Sequence, residues 1–304
     1  MMHVRSSAFG LVLLLCLPVV SLAVEPPPPV EPPPPIEPPP PIEPPTRVEV
    51  HLTTDIVVTL AAAATGTVPH LLREEFVQVR CAPNCDRSRI NDFDALTIGF
   101  KNDDAALASN VLIGMTLGMP TVIGLIDVLV REEGDGEGWS GYGKDLLLVA
   151  QSVAVTSMIH GLTKYAVQRP RPYVFDESAS MAERTGADSM LSFFSGHAAT
   201  GFAAATSYSY LFTLRHPNSP YVPAVWVTMM SLATAETALR PFTGEHYWSD
   251  VIIGASIGAA IGLLVPYLHT SSAAIHIGSG DATMAVTPIA LAGGGGLGLS
   301  VMNW

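Results

Sequence analysis

The chain has 304 residues, 48% of them hydrophobic and 14% charged, with a mean hydropathy of +0.36 and a formal net charge of -12 at pH 7. An acidic balance of this size excludes nucleic acid as a partner and excludes a polybasic grip on anionic lipid. An anion site in such a chain has to be assembled locally from a few cations.

Met1–Ala23 reads as a secretory signal. His3 and Arg5 give a basic start, Ala8–Val20 is an apolar core too short for a membrane span, and Ser21-Leu22-Ala23 offers small residues for cleavage. Cys16 lies inside this stretch and leaves with it; the leucines before it do not make a lipobox. Residues 24–46 form a Pro-rich linker in which Glu25, Glu31, Glu37 and Glu43 each open a proline run. Polyproline II has about three residues per turn, so this period of six lines the glutamates along one edge. The segment cannot bury a core and extends about 65 Å at ~3.1 Å per residue. It is a stiff spacer, a tether, or a ligand for a proline-binding module.

Residues 47–272 suit one domain. Helical stretches are predicted over 55–72, 104–130, 144–168, 196–214, 222–239 and 249–268. Strand-like runs are few before the C-terminus, so the expected fold is an all-α bundle of about six helices. Pro120 should kink the second helix, and residues 134–138 should form a loop. Cys81 and Cys85 are the only two cysteines after the signal, and in an exported chain they default to a disulfide. A metal site there is disfavoured, because neither a His nor a second Cys pair lies nearby. Ser152, Thr156, His160, Lys164 and Gln168 recur at steps of four; the stripe either lines a cleft or faces solvent. Gly254, Gly258 and Gly262 share one face of the last helix and admit a neighbouring backbone. The tail, 273–304, is Gly-rich and alternates apolar with small residues, as a short hairpin would; two strands cannot close a barrel.

Three stretches carry candidate chemistry. In Arg240-Pro-Phe-Thr-Gly-Glu-His-Tyr-Trp-Ser-Asp250, His246 and Asp250 lie four apart at the mouth of an apolar helix. If Ser249 or Asp250 starts that helix, the carboxylate stands about one turn from the imidazole and can fix its tautomer. The plainer reading is an N-capping Asp beside a loop His. Lys164 and Arg171-Pro172 offer positive charge to an anion, or are ordinary punctuation at a helix end. Ser195-Gly196-His197 opens a helix, whose free N–H groups bind anions and whose glycine allows close approach; a simple cap has the same look.

Taken together, these stretches resemble the motifs of the type 2 phosphatidic acid phosphatase and vanadium haloperoxidase superfamily. Lys164, six residues and Arg171-Pro172 match the first motif, Ser195-Gly196-His197 the second, and Arg240, five residues, His246, three residues and Asp250 the third. Phe194 stands where that family has Pro, and Leu239 where it has Ser. The resemblance implies that Lys164, Arg171, Ser195, Gly196 and Arg240 bind phosphate. It also implies that His246 attacks phosphorus, Asp250 orients His246, and His197 protonates the leaving oxygen. The expected activity is a metal-independent phosphatase, with no cofactor, acting on a phosphomonoester or pyrophosphate that includes lipid esters. The alternative within the superfamily is a haloperoxidase with vanadate bonded to His246. A rival of another class is an envelope-tethered binding or structural protein with a dead pocket.

The expected compartment is the periplasm or cell envelope. A cleaved signal would put residue 55 outside, and six spans would then put Lys164, Arg171 and the cysteine pair inside, where a disulfide is disfavoured. Asn110, Asp127 and Glu236 interrupt the apolar runs. Either the signal is cleaved and the bundle does not span, resembling the family's soluble bacterial acid phosphatases, or Met1–Ala23 is retained, the count of spans changes and the protein is membrane-associated; the sequence reading favours the first. The acids of 173–192, Asp176, Glu177, Glu183 and Asp188, are expected to border the cleft.

Overall fold

The computed structural model describes residues 48–130 and 137–270, together with the backbone of 275–277, 282–291 and 294–303. The signal, the Pro-rich linker and most of the 134–138 loop lie outside the described residues. Six long helices carry the fold: α1 (Leu52–Leu71), α2 (Asp103–Val130), α3 (Gly138–Val167), α4 (Gly196–Arg215), α5 (Val222–Leu239) and α6 (Trp248–Leu268). The bundle is all-α, as its apolar runs require. Short helical turns at Arg73–Phe76, Asp92–Ala95, Met181–Thr185 and Arg240–Thr243 bridge the long ones.

α2 runs through Pro120 as one helix. α3 starts six residues before the predicted 144, because tertiary contacts hold a Gly-rich turn that has no apolar period of its own. Arg215 donates to the Gly141 carbonyl at 3.2 Å and pairs with Asp145 at 2.5 Å. α6 starts at Trp248, one residue earlier than predicted; Tyr247 is its N-cap and Asp250 its third residue, so Asp250 does not cap by its own position.

α4 is the central helix and packs against α2, α3, α5 and α6, whereas α1 packs along α3. Small residues permit this: Ala198, Ala199, Ala203 and Ala204 are all fully buried. A Cβ on Gly258 would stand 2.0 Å from the Ala199 carbonyl oxygen, so only glycine lets α6 lie against α4 there. The polar stripe of α3 also turns inward. Ser152 and Thr156 have no exposure, and Ser152 donates to Ser207 of α4 at 3.1 Å.

The outward faces are the reverse of a soluble bundle. In α2 the buried positions are Ala105, Ser109, Thr116, Pro120 and Gly124, while Leu107 and Leu129 are 65% and 66% exposed. Five of the described helical stretches are long and apolar enough to cross a membrane. The three polar residues that suggested a non-spanning bundle do not face a lipid layer alone. Asn110 hydrogen-bonds His197, Asp127 lies 3.3 Å from His216, and Glu236 is wholly buried. They therefore do not argue against a membrane, and the outward apolar faces support association with one.

The chain enters and leaves the bundle at one end, where Val48 bridges Thr270 and Asp55 accepts from His269 at 3.1 Å. The tail carries three antiparallel strands, β1 (Ile275–Ile277), β2 (Ala282–Leu291) and β3 (Gly294–Asn303), in the order β1-β2-β3. Val286 pairs with both Ile275 and Leu299. This is one strand more than a hairpin, because the alternation of apolar and small residues persists on both sides of β2.

Candidate active site

At the bundle end away from Val48, helix ends converge. α3 stops at Gln168, whose left-handed backbone (φ 48°) closes the last turn onto the Lys164 carbonyl. The following strand-like segment is stitched in place. Arg171 N–H donates to Ser189 at 2.7 Å, Ser192 N–H donates to Arg169 at 3.0 Å, and Tyr173 N–H donates to Gly244 at 3.1 Å. These bonds bring the end of α3, the start of α4 and the entry to α6 around one cavity of about 360 Å³.

Lys164, Arg171, Gly196, His197, Arg240 and His246 all line this cavity. Two of the predicted site residues do not. Ser195 is buried and caps α4, its Oγ accepting from Ala198 N–H at 3.5 Å. Asp250 lies behind His246 with no exposure. A Cβ on Gly196 would stand 2.7 Å from His160 Cε1, so glycine is required where the helix start meets that ring. His160, one turn before Lys164, lines the same cavity.

The His246 imidazole is 2% exposed, and its Nδ1 lies 2.8 Å from the Ser192 carbonyl. A carbonyl can only accept, so Nδ1 carries the proton and Nε2 keeps its lone pair. Burial pushes His246 well below its ordinary value, and Arg240, Arg171 and Lys164 push the same way, which favours the neutral ring. The expected contact to Asp250 is 3.8 Å, which is Coulombic and not a hydrogen bond. The ring is held by a backbone carbonyl, and Asp250 by other partners. Asp250 Oδ2 accepts from Ser192 Oγ and, at 2.9 Å, from Tyr247 N–H; its Oδ1 accepts from Arg169 at 2.5 Å.

His197 Nε2 stands 2.9 Å from Asn110 Oδ1 of α2. This contact aims the second histidine. Of the three cations, Arg171 is braced by Asp188 at 2.9 Å, with a further bond to the Asp188 carbonyl. Burial would raise the Asp188 carboxyl, but Arg171 and then Lys164 outweigh it and hold the group below the usual range. Glu245 bridges Arg240 and Arg171, ion-paired with the first and 3.5 Å from the second. Burial would raise it too, but Arg240 and then Arg171 keep it below the usual value. The other acids of 173–192 do less here: Glu183 pairs with Lys101 at 3.0 Å, and Asp176 caps the Ser178 N–H at 2.8 Å. Cys81 and Cys85 are disulfide-bonded in the loop after α1, on the cavity's side of the bundle.

Sequence reasoning missed Ser192, Asn110, Glu245, Arg169 and Asp94 as site residues, whereas His160 belongs to the polar stripe for which a cleft-lining place was one of two readings. Glu245 had a signal, an acid beside a candidate nucleophile. Ser192 holds His246 through its main-chain carbonyl, for which no residue type signals, and holds Asp250 through its hydroxyl.

The arrangement supplies a bare imidazole nitrogen, a second aimed histidine and three cations around a space open to an anion. The family model of the PAP2 superfamily matches residues 145–273, which include every cavity-lining residue named above. Decaprenylphosphoryl-5-phosphoribose phosphatase of Mycobacterium tuberculosis, from strain CDC 1551 / Oshkosh and from strain ATCC 25618 / H37Rv, is 33% identical over 122 residues. The match covers 40% of this chain and 60% of that relative, so the chain spans under two thirds of the curated relatives it matches. A crystal structure of the first transmembrane PAP2 type phosphatidylglycerolphosphate phosphatase from Bacillus subtilis is similar over 70% of this chain and 94% of its own, with a TM-score of 0.40 and 17% identity.

Proposed function

We propose that the chain, whose residues 145–273 match the family model of the PAP2 superfamily, is a phosphoric-ester hydrolase working through a phosphohistidine on His246. The substrate phosphoryl group sits among Lys164, Arg171 and Arg240, with its oxygens facing the N–H groups at the start of α4. His246 Nε2 attacks phosphorus in line. The P–O bond to the alcohol breaks, and the leaving oxygen takes a proton from His197. The ring, now an imidazolium with its Nδ1–H still on Ser192, is stabilised by the Asp250 charge behind it. Water then gives a proton to His197, attacks phosphorus, breaks the N–P bond and releases phosphate.

The observation that carries this reading is the His246 Nδ1 contact to the Ser192 carbonyl, because it commits the other nitrogen to nucleophilic attack. We take the substrate to be a phosphomonoester or pyrophosphate of a lipid. Two things support that choice: the apolar outward helices and the lipid-linked phosphate in the name of the Mycobacterium relative. The reaction needs no divalent metal. The disulfide on the cavity's side of the bundle favours an exported, oxidising compartment for the site.

Rapid quench with labelled substrate tests this. The label should stay on protein in alkali and leave in acid. His246→Ala should abolish labelling with the fold intact. His197→Ala should slow ordinary esters by roughly 10²–10⁴, and nitrophenyl phosphate much less, because that leaving group needs little proton help. Full turnover in His246→Ala, or activity abolished by EDTA and restored by zinc or magnesium, would replace this mechanism with metal-assisted hydrolysis.

A further inference from the structure

Beneath the cavity Asp250 is tied into a charge network whose other members, Arg169 and Asp94, the transfer steps above do not use. Arg169 Nη1 donates to Asp250 Oδ1 at 2.5 Å and to Ser249 Oγ at 2.9 Å, while Nη2 donates to Asp94 Oδ2 at 2.8 Å. The guanidinium lies 4.0 Å over the Tyr247 ring. Asp94, at 1% side-chain exposure, comes from the short helix Asp92–Ala95 in the loop that also carries the disulfide. It accepts from Ser249 N–H at 2.9 Å and from Asn91 Nδ2, also at 2.9 Å.

We propose that Arg169 is a positioning residue for phosphoryl transfer: held by Asp94, it locks Asp250, which fastens the Ser192 segment that aims His246. This rests on the reading of His246 as the nucleophile. The linkage is continuous. Arg169 holds one oxygen of Asp250; the other oxygen holds the Ser192 hydroxyl; the Ser192 carbonyl holds His246 Nδ1; and the Ser192 N–H returns to the Arg169 carbonyl. Arg169 does not line the cavity, so it acts through these groups and not on the phosphate.

The charges point the same way. Asp94 and Asp250 share one guanidinium, which leaves one net negative charge behind His246, where the imidazolium of the phosphoenzyme forms. Without Arg169 the two buried carboxylates that share its guanidinium would be left uncompensated, and one of them would take up a proton. Lysine cannot substitute fully, since a single ammonium does not span both carboxylates as the planar fork does.

The test is a double-variant cycle on the full chain in detergent, reading the rate of phosphohistidine formation from labelled nitrophenyl phosphate, inhibition by inorganic phosphate, and the thermal midpoint. Arg169→Gln should slow phosphorylation on the order of 10²-fold, as a small misalignment of a reacting group does, while phosphate inhibition stays as in the wild type. Asp250→Asn should also be slow, and the double variant no slower than the slower single one, because both act on one linkage. Arg169→Lys and Asp94→Asn carry the same test should Arg169→Gln not fold; both should lose rate at a wild-type thermal midpoint. Wild-type phosphorylation rates in these variants, or losses that multiply in the double variant, would overturn the proposal. A wild-type protein that forms no phosphohistidine would overturn the reading beneath it, a result distinct from loss confined to the variants.

Discussion

Glu245 occupies the position that an anionic substrate most directly contests. Its carboxylate bridges Arg240 and Arg171 and lines the cavity, with its side chain 41% exposed. A phosphate dianion has to share or displace these contacts, so Glu245 acts as an internal counter-ion to the two arginines. Glu245→Gln should therefore tighten inhibition by inorganic phosphate and vanadate by about two- to fivefold, the size set by a partly exposed pair worth up to ~1 kcal/mol. Competition assays against nitrophenyl phosphate read this directly. An unchanged inhibition constant would mean that the carboxylate swings clear at no cost. At this scale the sequence was informative about which residues, and less so about their bonds. His246, His197, Lys164, Arg171, Gly196 and Arg240 all meet at one cavity. Ser195 and Asp250 stand behind it, tied to backbone groups that a motif does not reveal.

At the scale of elements, the seam between α4 and α6 sets the site. Asp250 on α6 accepts Ser195 N–H through its main-chain oxygen at 3.1 Å, so His246 and His197, the two histidines proposed to carry the transfer, keep their spacing only if these helices stay in contact. Gly258 sits two turns further along the same seam, against Ala199. Gly258→Val should lower the thermal midpoint in detergent, with a destabilisation of at least ~1–3 kcal/mol from overpacking, and should cut turnover by moving His246 relative to His197. Wild-type midpoint and turnover would show that the seam can open without consequence. The helices themselves were legible from their apolar runs, with ends shifted by a few residues. The early start of α3 was not, because the groups that hold it, Arg215 and Asp145, are 70 positions apart in sequence.

For the whole molecule, the alternation of six helices puts the cavity and the disulfide loop at one end and residues 48 and 270 at the other. If all six helices cross a membrane, the cavity faces the side opposite to these chain ends. Cleavage after Ala23 with export of the chain start would then put the disulfide on the reducing side, so both sequence expectations cannot hold together in a spanning bundle. In a Cys16→Ser background, Arg89→Cys on the cavity side and Asn218→Cys on the other should differ in labelling by an impermeant maleimide in sealed vesicles, one reacting and the other not. Labelling of both without detergent would show that the bundle does not cross. Arg89 suits the probe because its side chain is 85% exposed.

The sequence by itself determined the helical class, the order of the helices and most of the residues that meet at the cavity, because periodicity and short motif spacing are local signals. It left the facing of the helices undecided, since a polar residue in an apolar run reads alike whether it points to water or to a partner; the tertiary structure turned Asn110 to His197 and buried Glu236. It also could not show that a carbonyl 54 positions away holds His246, or that Asp94 reaches Ser249 across 155 positions. Such contacts are made by the close approach of backbones, and only the packed chain brings those groups within hydrogen-bond reach.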